Sequence, residues 1–277
     1  MPLVGTGEIV TTAVSGRRGV GAFNVIHLEH ATAIARGAEA AGAPVILQIS
    51  ENCVRYHGAL EPILAGTLAV ARAAAVPVAV HLDHATSADL VREAVLLGIG
   101  SVMYDASTLP YEENLAVTAG VVDWCHERGV WVEAELGEVG GKDGVHAPGA
   151  RTKPAEAVAY TAATGVDALA VAVGSSHAML TRDAVLDLDL IGELREAVPV
   201  PLVLHGSSGV PDATLTAAVE RGMTKINIAT QLNKVYSGEL RRVLDENPAM
   251  VDPRKYAGPA RNAVATEITR LLAVLHA

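Results

Sequence analysis

The sequence has few cysteines. Only Cys53 and Cys125 occur among 277 residues, too few for a disulfide framework and too far apart in sequence for a cysteine metal motif. We therefore expect two buried, reduced thiols.

Positive charge is also scarce. The 21 Lys and Arg are outnumbered by 31 Asp and Glu, which gives a formal net charge of -10 at pH 7. Nucleic acids and anionic membranes are bound through clustered Lys and Arg, so this balance argues against both as partners. The N-terminal stretch MPLVGTGEIV lacks the basic and long apolar regions of a signal peptide, and no apolar run is long enough to span a membrane. The sequence predicts a cytoplasmic protein.

Aromatic residues make up only 3% of the chain, although 50% of it is hydrophobic. Ala, Val and Leu fill the apolar positions, which is typical of parallel strands covered by helices. After a short N-terminal helix that ends near Gly16, a short apolar run followed by a longer amphipathic run recurs eight times. The apolar runs lie at 20–25, 44–50, 77–84, 101–107, 130–137, 167–177, 201–206 and 224–230.

Eight such units without a break in composition predict an α/β fold, a (β/α)8 TIM barrel that forms a single domain over residues 1–277. A doubly wound sheet would usually have five or six strands. The segment from about 252 to 277 adds an extra C-terminal helix. The Gly-rich segment 137–153 is predicted to be a loop that could act as a lid.

Polar side chains occur where the apolar runs end, whereas the interior halves of the runs are almost wholly apolar. In a TIM barrel these ends share one face, and catalytic residues lie there. Three imidazoles with an open fourth position fit a catalytic zinc, and nearby carboxylates allow a second metal position. A histidine cluster acting as general bases is the alternative, and it explains the acids less well. The end residues are Asn24, Gln48, Ser50, His81, Asp83, His84, Asp105, Ser107, Glu133, Glu135, His177, His205, Asn227 and Thr230.

The loops after the seventh and eighth runs read HGSSGVPD and NIATQL. Loops in these positions usually bind phosphate in this fold. They offer backbone N–H groups and hydroxyls just before helix N-termini, which favour anions without any net positive charge. Turns and helix caps are the alternative for either loop alone. Both loops together, beside a metal site, favour phosphate.

Seven motifs occur in order over nearly the whole chain: GAFNV, HLDH, SVMYDAS, VEAELGEVGG, AVGSSH, LVLHGSSGVP and KINIAT. In this combination the sequence resembles the class II, metal-dependent ketose-bisphosphate aldolases, which include fructose- and tagatose-bisphosphate aldolases. The resemblance implies that Asp83 is the acid/base at the C4 oxygen of the substrate. It implies zinc (Zn2+) held by His84, His177 and His205, with Asp105 and Glu135 contacting the metal or a second divalent or monovalent cation. The implied substrate-binding residues are Asn24, Ser50, Ala178, Gly206, Ser207, Ser208, Asn227, Ile228, Ala229 and Thr230.

The chain departs from the family pattern at two places. Many relatives carry consecutive acids after the Gly-Gly pair, where this chain has Lys142 and Asp143. The second catalytic base could therefore be Asp143 or Glu138. After His177 the family usually has Gly and, a few residues on, a Lys near the phosphate, whereas this chain reads HAMLTRD. Whether Arg182 replaces that Lys stays open.

The implied activity is that of a lyase: reversible retro-aldol cleavage of a phosphorylated ketose to dihydroxyacetone phosphate and an aldehyde. We expect fructose 1,6-bisphosphate as substrate and glyceraldehyde 3-phosphate as the aldehyde, with tagatose bisphosphate or another phosphoketose as alternatives. A metal-dependent barrel hydrolase and a non-catalytic sugar-phosphate binding protein are the alternatives of other classes. The resemblance also implies a homodimer or homotetramer.

Overall fold

The chain forms a closed barrel of eight parallel strands. A computed structural model describes residues 2–136 and 151–276. Each strand pairs with its neighbours in chain order, and β8 pairs with β1. The predicted (β/α)8 barrel is therefore confirmed. The strands are β1 (Val20–Asn24), β2 (Val45–Ser50), β3 (Val78–Ala85), β4 (Ser101–Tyr104), β5 (Trp131–Leu136), β6 (Ala168–Val171), β7 (Leu202–Leu204) and β8 (Met223–Ile228).

Helices connect the strands and cover the barrel. The N-terminal helix and the extra C-terminal helix are present as predicted. Within the described residues, no helix is both long and apolar enough to cross a membrane. The helices are α1 (Thr6–Gly16), α2 (Leu28–Ala41), α3 (Glu51–His57), α4 (Glu61–Ala73), α5 (Ala88–Leu96), α6 (Tyr111–His126), α7 (Pro154–Thr164), α8 (Leu188–Ala197), α9 (Asp212–Arg221), α10 (Thr230–Glu246) and α11 (Pro253–Val274).

The short helix α3 was not predicted. It begins immediately after β2, where the Ser50 hydroxyl accepts a hydrogen bond from the backbone N–H of Cys53 and so caps the helix. With seven residues, α3 is too short to show the amphipathic period that identifies the other helices.

The main apolar core lies between the strands and the surrounding helices. Alternate residues of each strand, such as Phe23 and Leu47, belong to this core. A second apolar cluster joins Ile9 and Val10 of α1 to Val20 of β1 and to inner residues of neighbouring strands, so α1 packs against the barrel end where the strands begin. Both cysteines, Cys53 and Cys125, are free and buried, as expected.

Three polar side chains are buried inside the barrel. His81 of β3, Glu133 of β5 and Lys225 of β8 are fully buried. Lys225 Nζ lies 2.9 Å from Glu133 Oε2, and because β5 and β8 are not neighbouring strands, this ion pair must cross the inside of the barrel. Lys225 is therefore the charged exception within an interior half, and the opposite charge of Glu133 compensates it.

The sixth apolar run also differs from the prediction. Only Ala168–Val171 forms a strand, so His177 lies in the connection between β6 and α8 rather than at a strand end. β4 likewise ends at Tyr104, one residue before Asp105. The positions of these side chains are therefore set by loops.

Candidate active site

A cavity of about 540 Å³ opens at the carboxyl ends of the strands. All eight strands, or the connections that follow them, contribute lining residues, as expected for this fold. The predicted residues that line the cavity are Asn24, Ser50, Asp83, His84, Asp105, Glu135, His177, Ala178, Gly206, Ser208, Asn227, Ala229 and Thr230.

Three of the described predicted residues, His205, Ser207 and Ile228, do not line the cavity. His205 is fully buried and forms part of the site through its hydrogen bonds. Ser207 is buried and its hydroxyl donates to the Leu204 carbonyl, whereas the side chain of Ile228 packs in the apolar core. The two candidates for the second base, Glu138 and Asp143, lie outside the described residues.

Four side chains could hold a metal ion together. His84, Glu135, His177 and His205 each offer one ligand atom, and these four atoms lie within 4.8 Å of one another. Imidazole nitrogens with one carboxylate oxygen form a donor set that zinc and other divalent transition metals accept. The geometry therefore fits a metal ion.

Asp105 lies behind one of these ligands. Its Oδ2 is 2.8 Å from Nδ1 of His84, and its Oδ1 accepts a hydrogen bond of 2.6 Å from the Ser107 hydroxyl. A carboxylate on the second nitrogen of an imidazole fixes the ring orientation and makes it a better ligand. The arrangement thus favours a supporting role for Asp105.

Asp83 and His84 are consecutive, yet both line the cavity. In a regular strand they would point to opposite faces. Here the register between β3 and β4 shifts between Leu82 and Ala85, and His84 has a left-handed φ of 50°. This local irregularity is typical of a β-bulge, which re-aims side chains next to active sites.

The Asp83 carboxylate is buried and held by two amides. Asn24 Nδ2 donates to its Oδ2 at 3.2 Å, and Asn227 Nδ2 lies 3.5 Å from its Oδ1. Burial alone would raise the pKa of Asp83, but the nearby His84 and Lys225 outweigh burial and lower it. Asp83 is therefore ionised at neutral pH and able to accept a proton.

His205 is bracketed by two carboxylates. Its Nδ1 lies 2.9 Å from Glu135 Oε2, and its Nε2 lies 3.0 Å from Glu133 Oε1. Burial alone would lower the pKa of His205, but hydrogen bonds to Glu133 and Glu135 raise it to about 9. A metal ion bound here would have to displace a proton.

The loops after β7 and β8 are joined by one hydroxyl. Ser208 Oγ accepts hydrogen bonds from the backbone N–H groups of Ala229 at 3.3 Å and Gln231 at 3.1 Å, so it caps the first turn of α10. Gly206 opens the first loop with a left-handed φ of 66°. The Ser208 hydroxyl is therefore a helix cap, as the alternative to phosphate binding proposed. Residues of the same two loops also line the cavity.

Arg182 does not line this cavity. Its guanidinium donates to the Val210 carbonyl at 2.6 Å and to the Asp212 carboxylate at 2.6 Å, which ties the β6–α8 connection to the start of α9. Arg182 is therefore engaged elsewhere in the fold.

Ala178 does line the cavity, and it has a left-handed φ of 57°, a conformation that suits glycine better.

Two cationic residues of the site were missed. Lys225 stands within the motif KINIAT, and a lysine inside an otherwise apolar run was a signal for a buried charge. Arg55 lines the cavity from α3, and it was missed because that helix was not predicted.

Residues 4–277 match the family model described as fructose-bisphosphate aldolase class-II. The chain belongs to this family. It is therefore a lyase. It is 42% identical over 269 residues to a "Probable fructose-bisphosphate aldolase" of Bacillus subtilis (strain 168), covering 95% of this chain and 94% of the relative. It is 38% identical over 272 residues to a fructose-bisphosphate aldolase of Geobacillus stearothermophilus, covering 97% of this chain and 95% of the relative.

A solved structure shows the same fold. The crystal structure of the YdjI aldolase from Escherichia coli K12 has a TM-score of 0.86 with this aldolase and 31% sequence identity, and the match covers 99% of this chain and 97% of the other. The barrel is thus that of an aldolase.

Proposed function

We propose that this class II aldolase reversibly cleaves fructose 1,6-bisphosphate to dihydroxyacetone phosphate and glyceraldehyde 3-phosphate, with zinc as its metal. One observation carries the proposal: the ionised Asp83 lines the same cavity as His84, Glu135 and His177, and these three form one ligand group with the buried His205. Two relatives that carry the name fructose-bisphosphate aldolase support the choice of substrate.

The three histidines would hold the metal, Glu135 would complete or adjust the ligand set, and Asp105 would orient His84. A metal held by these residues would supply Lewis acidity at the ketose carbonyl, which would stabilise the negative charge that cleavage leaves beside it. A second divalent or monovalent cation near Asp105 stays a prediction.

Asp83 would accept the proton of the C4 hydroxyl during cleavage and return it during condensation. Its lowered pKa suits the first role, and the amides of Asn24 and Asn227 orient its carboxylate. The proton at the dihydroxyacetone phosphate carbon would be exchanged by a second base, Asp143 or Glu138.

Backbone N–H groups would bind the phosphate of dihydroxyacetone phosphate. These belong to Ala178, to the loop 206–208 and to the residues 227–230 that lead into α10, whose N-terminus favours an anion. The Ala229 N–H, which donates to Ser208 Oγ in this structure, would share its hydrogen with the phosphate. Ser207 and Ile228 would take part through their backbone only, because the Ser207 hydroxyl is bonded to Leu204 and the Ile228 side chain is in the core. Ser50 would contact a substrate hydroxyl.

Arg55 supports a second anionic group on the substrate. Among the described residues that line the cavity, it is the one Lys or Arg. In this structure the Arg55 guanidinium pairs with Glu51 and Asn52 of its own helix. With the first phosphate held by backbone N–H groups, it would exchange these contacts for the distal phosphate. Arg55→Met should therefore lower kcat/KM for fructose 1,6-bisphosphate about tenfold or more, while changing that for fructose 1-phosphate little, since a charge-assisted hydrogen bond is worth about 1.5–3 kcal/mol.

The metal assignment is tested by replacing each ligand. His84→Ala, His177→Ala and His205→Ala should each lose bound zinc and cleavage together, because three protein ligands leave no redundancy. Full zinc occupancy in any one of these variants, measured by elemental analysis, would remove that residue from the ligand set.

The role of Asp83 is tested by separating two proton transfers. Asp83→Ala should retain zinc and lose cleavage by about 10²–10⁴-fold. It should still exchange the C1-side proton of dihydroxyacetone phosphate with deuterium, whereas Asp143→Ala or Glu138→Ala should slow that exchange. Loss of both reactions in zinc-loaded Asp83→Ala would contradict this division of roles.

Membership of a lyase family argues against the hydrolase and the non-catalytic binding protein. Tagatose bisphosphate and other phosphoketoses stay the substrate alternatives, and NMR identification of the ketoses formed from dihydroxyacetone phosphate and a panel of aldehydes would decide among them. We also propose a single domain over residues 1–277, a cytoplasmic location and a homodimer or homotetramer. Light scattering of the purified protein tests the assembly.

A further inference from the structure

Lys225 lies inside the barrel, beneath the cavity, and its ammonium group contacts two polar side chains of the site. Its side chain is fully buried. Its Nζ donates to Asn227 Oδ1 at 2.8 Å and lies 2.9 Å from Glu133 Oε2. The proposed function assigns Lys225 no role.

The first contact fixes the amide of Asn227. An ammonium group can only donate, so it holds the amide with its oxygen towards Lys225. The amide nitrogen of Asn227 is then directed to Asp83, 3.5 Å from Oδ1. Without Lys225 the amide could rotate and present its oxygen to the carboxylate, which would repel it.

The second contact fixes Glu133 and, through it, His205. Glu133 Oε1 lies 3.0 Å from His205 Nε2, while the other ring nitrogen, Nδ1, faces Glu135. Glu135 belongs to the metal-ligand group and Glu133 does not. In a metal-bound His205 the imidazole N–H would therefore lie on the Glu133 side, which leaves Nδ1, on the Glu135 side, to bind the metal.

We propose that Lys225 is a positioning residue that holds Asn227 against Asp83 and, through Glu133, holds His205 with Nδ1 directed into the metal-ligand group. This inference rests on the proposed function, because it assumes that His205 binds the metal and that Asp83 transfers the proton.

The stability of the fold does not by itself explain why the ion pair of Lys225 and Glu133 is buried in the barrel. A buried ion pair gains little over well-packed apolar residues, because the desolvation of both charges offsets their attraction. Removing only one partner is different, since it leaves an unpaired buried charge that costs about 3–5 kcal/mol. A test must therefore remove both charges as well as one.

The test compares Lys225→Met with the double variant Lys225→Met/Glu133→Gln. The single variant should melt at a lower temperature, whereas the double variant should regain most of the wild-type melting temperature because no unpaired charge remains. Both should bind zinc about 10–100-fold more weakly in competition titrations, the usual effect of losing a partner behind a metal ligand. Both should also have a lower kcat at saturating zinc, with KM little changed.

Tyr160→Phe is the matched control for lost stability. Tyr160 is buried outside the cavity and its hydroxyl donates to Asn114 at 2.7 Å. Removing that hydroxyl should lower the melting temperature without changing zinc affinity. The inference is overturned if the double variant binds zinc and turns over at wild-type levels, because Lys225 would then be a structural residue only.

The zinc-loaded wild-type protein provides a test that needs no variant. Its crystal structure should show His205 Nδ1 on the metal and Nε2 on Glu133. A metal bound to Nε2 would overturn the inference and leave the proposed function intact. If the wild-type protein neither binds zinc nor releases dihydroxyacetone phosphate, the proposed function itself fails.

Discussion

Replacing Gly206 with alanine tests how tightly the β7–α9 loop is packed against the connection that carries His177. Gly206 has a φ of 66°, and an added Cβ would lie 2.6 Å from both the carbonyl carbon and oxygen of Ser176. Real Cβ atoms do not approach backbone so closely, and backbone cannot move aside as a flexible side chain can. Ser176 directly precedes His177, so the strain should reach the metal site.

The expected loss of stability has two parts. A left-handed conformation costs alanine about 1–2 kcal/mol relative to glycine. The backbone contact adds about 1–3 kcal/mol, as extra methyl groups do in well-packed interiors. Gly206→Ala should therefore lower the free energy of unfolding by about 2–5 kcal/mol, a large part of the 5–15 kcal/mol typical of a folded protein.

The Gly42→Ala variant separates the conformational cost from the cost of the backbone contact. Gly42 has nearly the same φ, 64°, but nothing lies within 4 Å of its added Cβ, so this variant should show the conformational cost alone. Urea denaturation of the metal-free proteins gives both free energies, and zinc titration gives the effect on the site. Only Gly206→Ala should weaken zinc binding. Equal losses of stability within about 0.5 kcal/mol, with unchanged zinc affinity in both variants, would refute the reasoning.

Three further predictions concern the stability of the fold. Ala178→Gly should stabilise the protein by up to about 1 kcal/mol in urea denaturation, because relief of the left-handed φ exceeds the entropy that glycine adds to the unfolded chain; a loss of stability would contradict this. Burial lowers the pKa of His30 from 6.5 to about 4. Between these two pH values the unfolded chain therefore binds a proton at this residue, and the folded protein does not. Stability should thus fall as the pH drops from about 6.5 to about 4, by on the order of 3 kcal/mol from this group, and His30→Phe should flatten the pH dependence. Arg182→Met should lower the free energy of unfolding by about 1–2 kcal/mol, since it leaves the Val210 carbonyl without this donor, whereas Lys153→Met, at an exposed ion pair, should change it by less than about 0.5 kcal/mol.

The barrel could be predicted because its signal is repeated. Eight short apolar runs separated by amphipathic helices leave few alternative folds, and the polar residues at the run ends then converge by topology. This reasoning placed Asn24, Asp83, Glu135 and Asn227 at one cavity, as the structure shows.

Other features depend on contacts between distant parts of the chain. Glu133 and Lys225 each interrupt an apolar run, and only their pairing across the barrel explains why both are buried. The irregularity of β3 at His84 could not be predicted from the sequence either, because the side chains of a regular strand alternate and consecutive residues would point to opposite faces. His177 is placed by a loop rather than by a strand, so its position could not be derived from the strand pattern.

Metal dependence of carbon–carbon cleavage tests the central claim most directly. The purified protein is treated with a chelator, dialysed and incubated with fructose 1,6-bisphosphate, and dihydroxyacetone phosphate is measured before and after zinc is added back. The proposed function predicts no release from the stripped protein, recovery with zinc, and no recovery in the Asp83→Ala variant. Undiminished release from fully stripped protein, or release of inorganic phosphate in place of dihydroxyacetone phosphate, would contradict it.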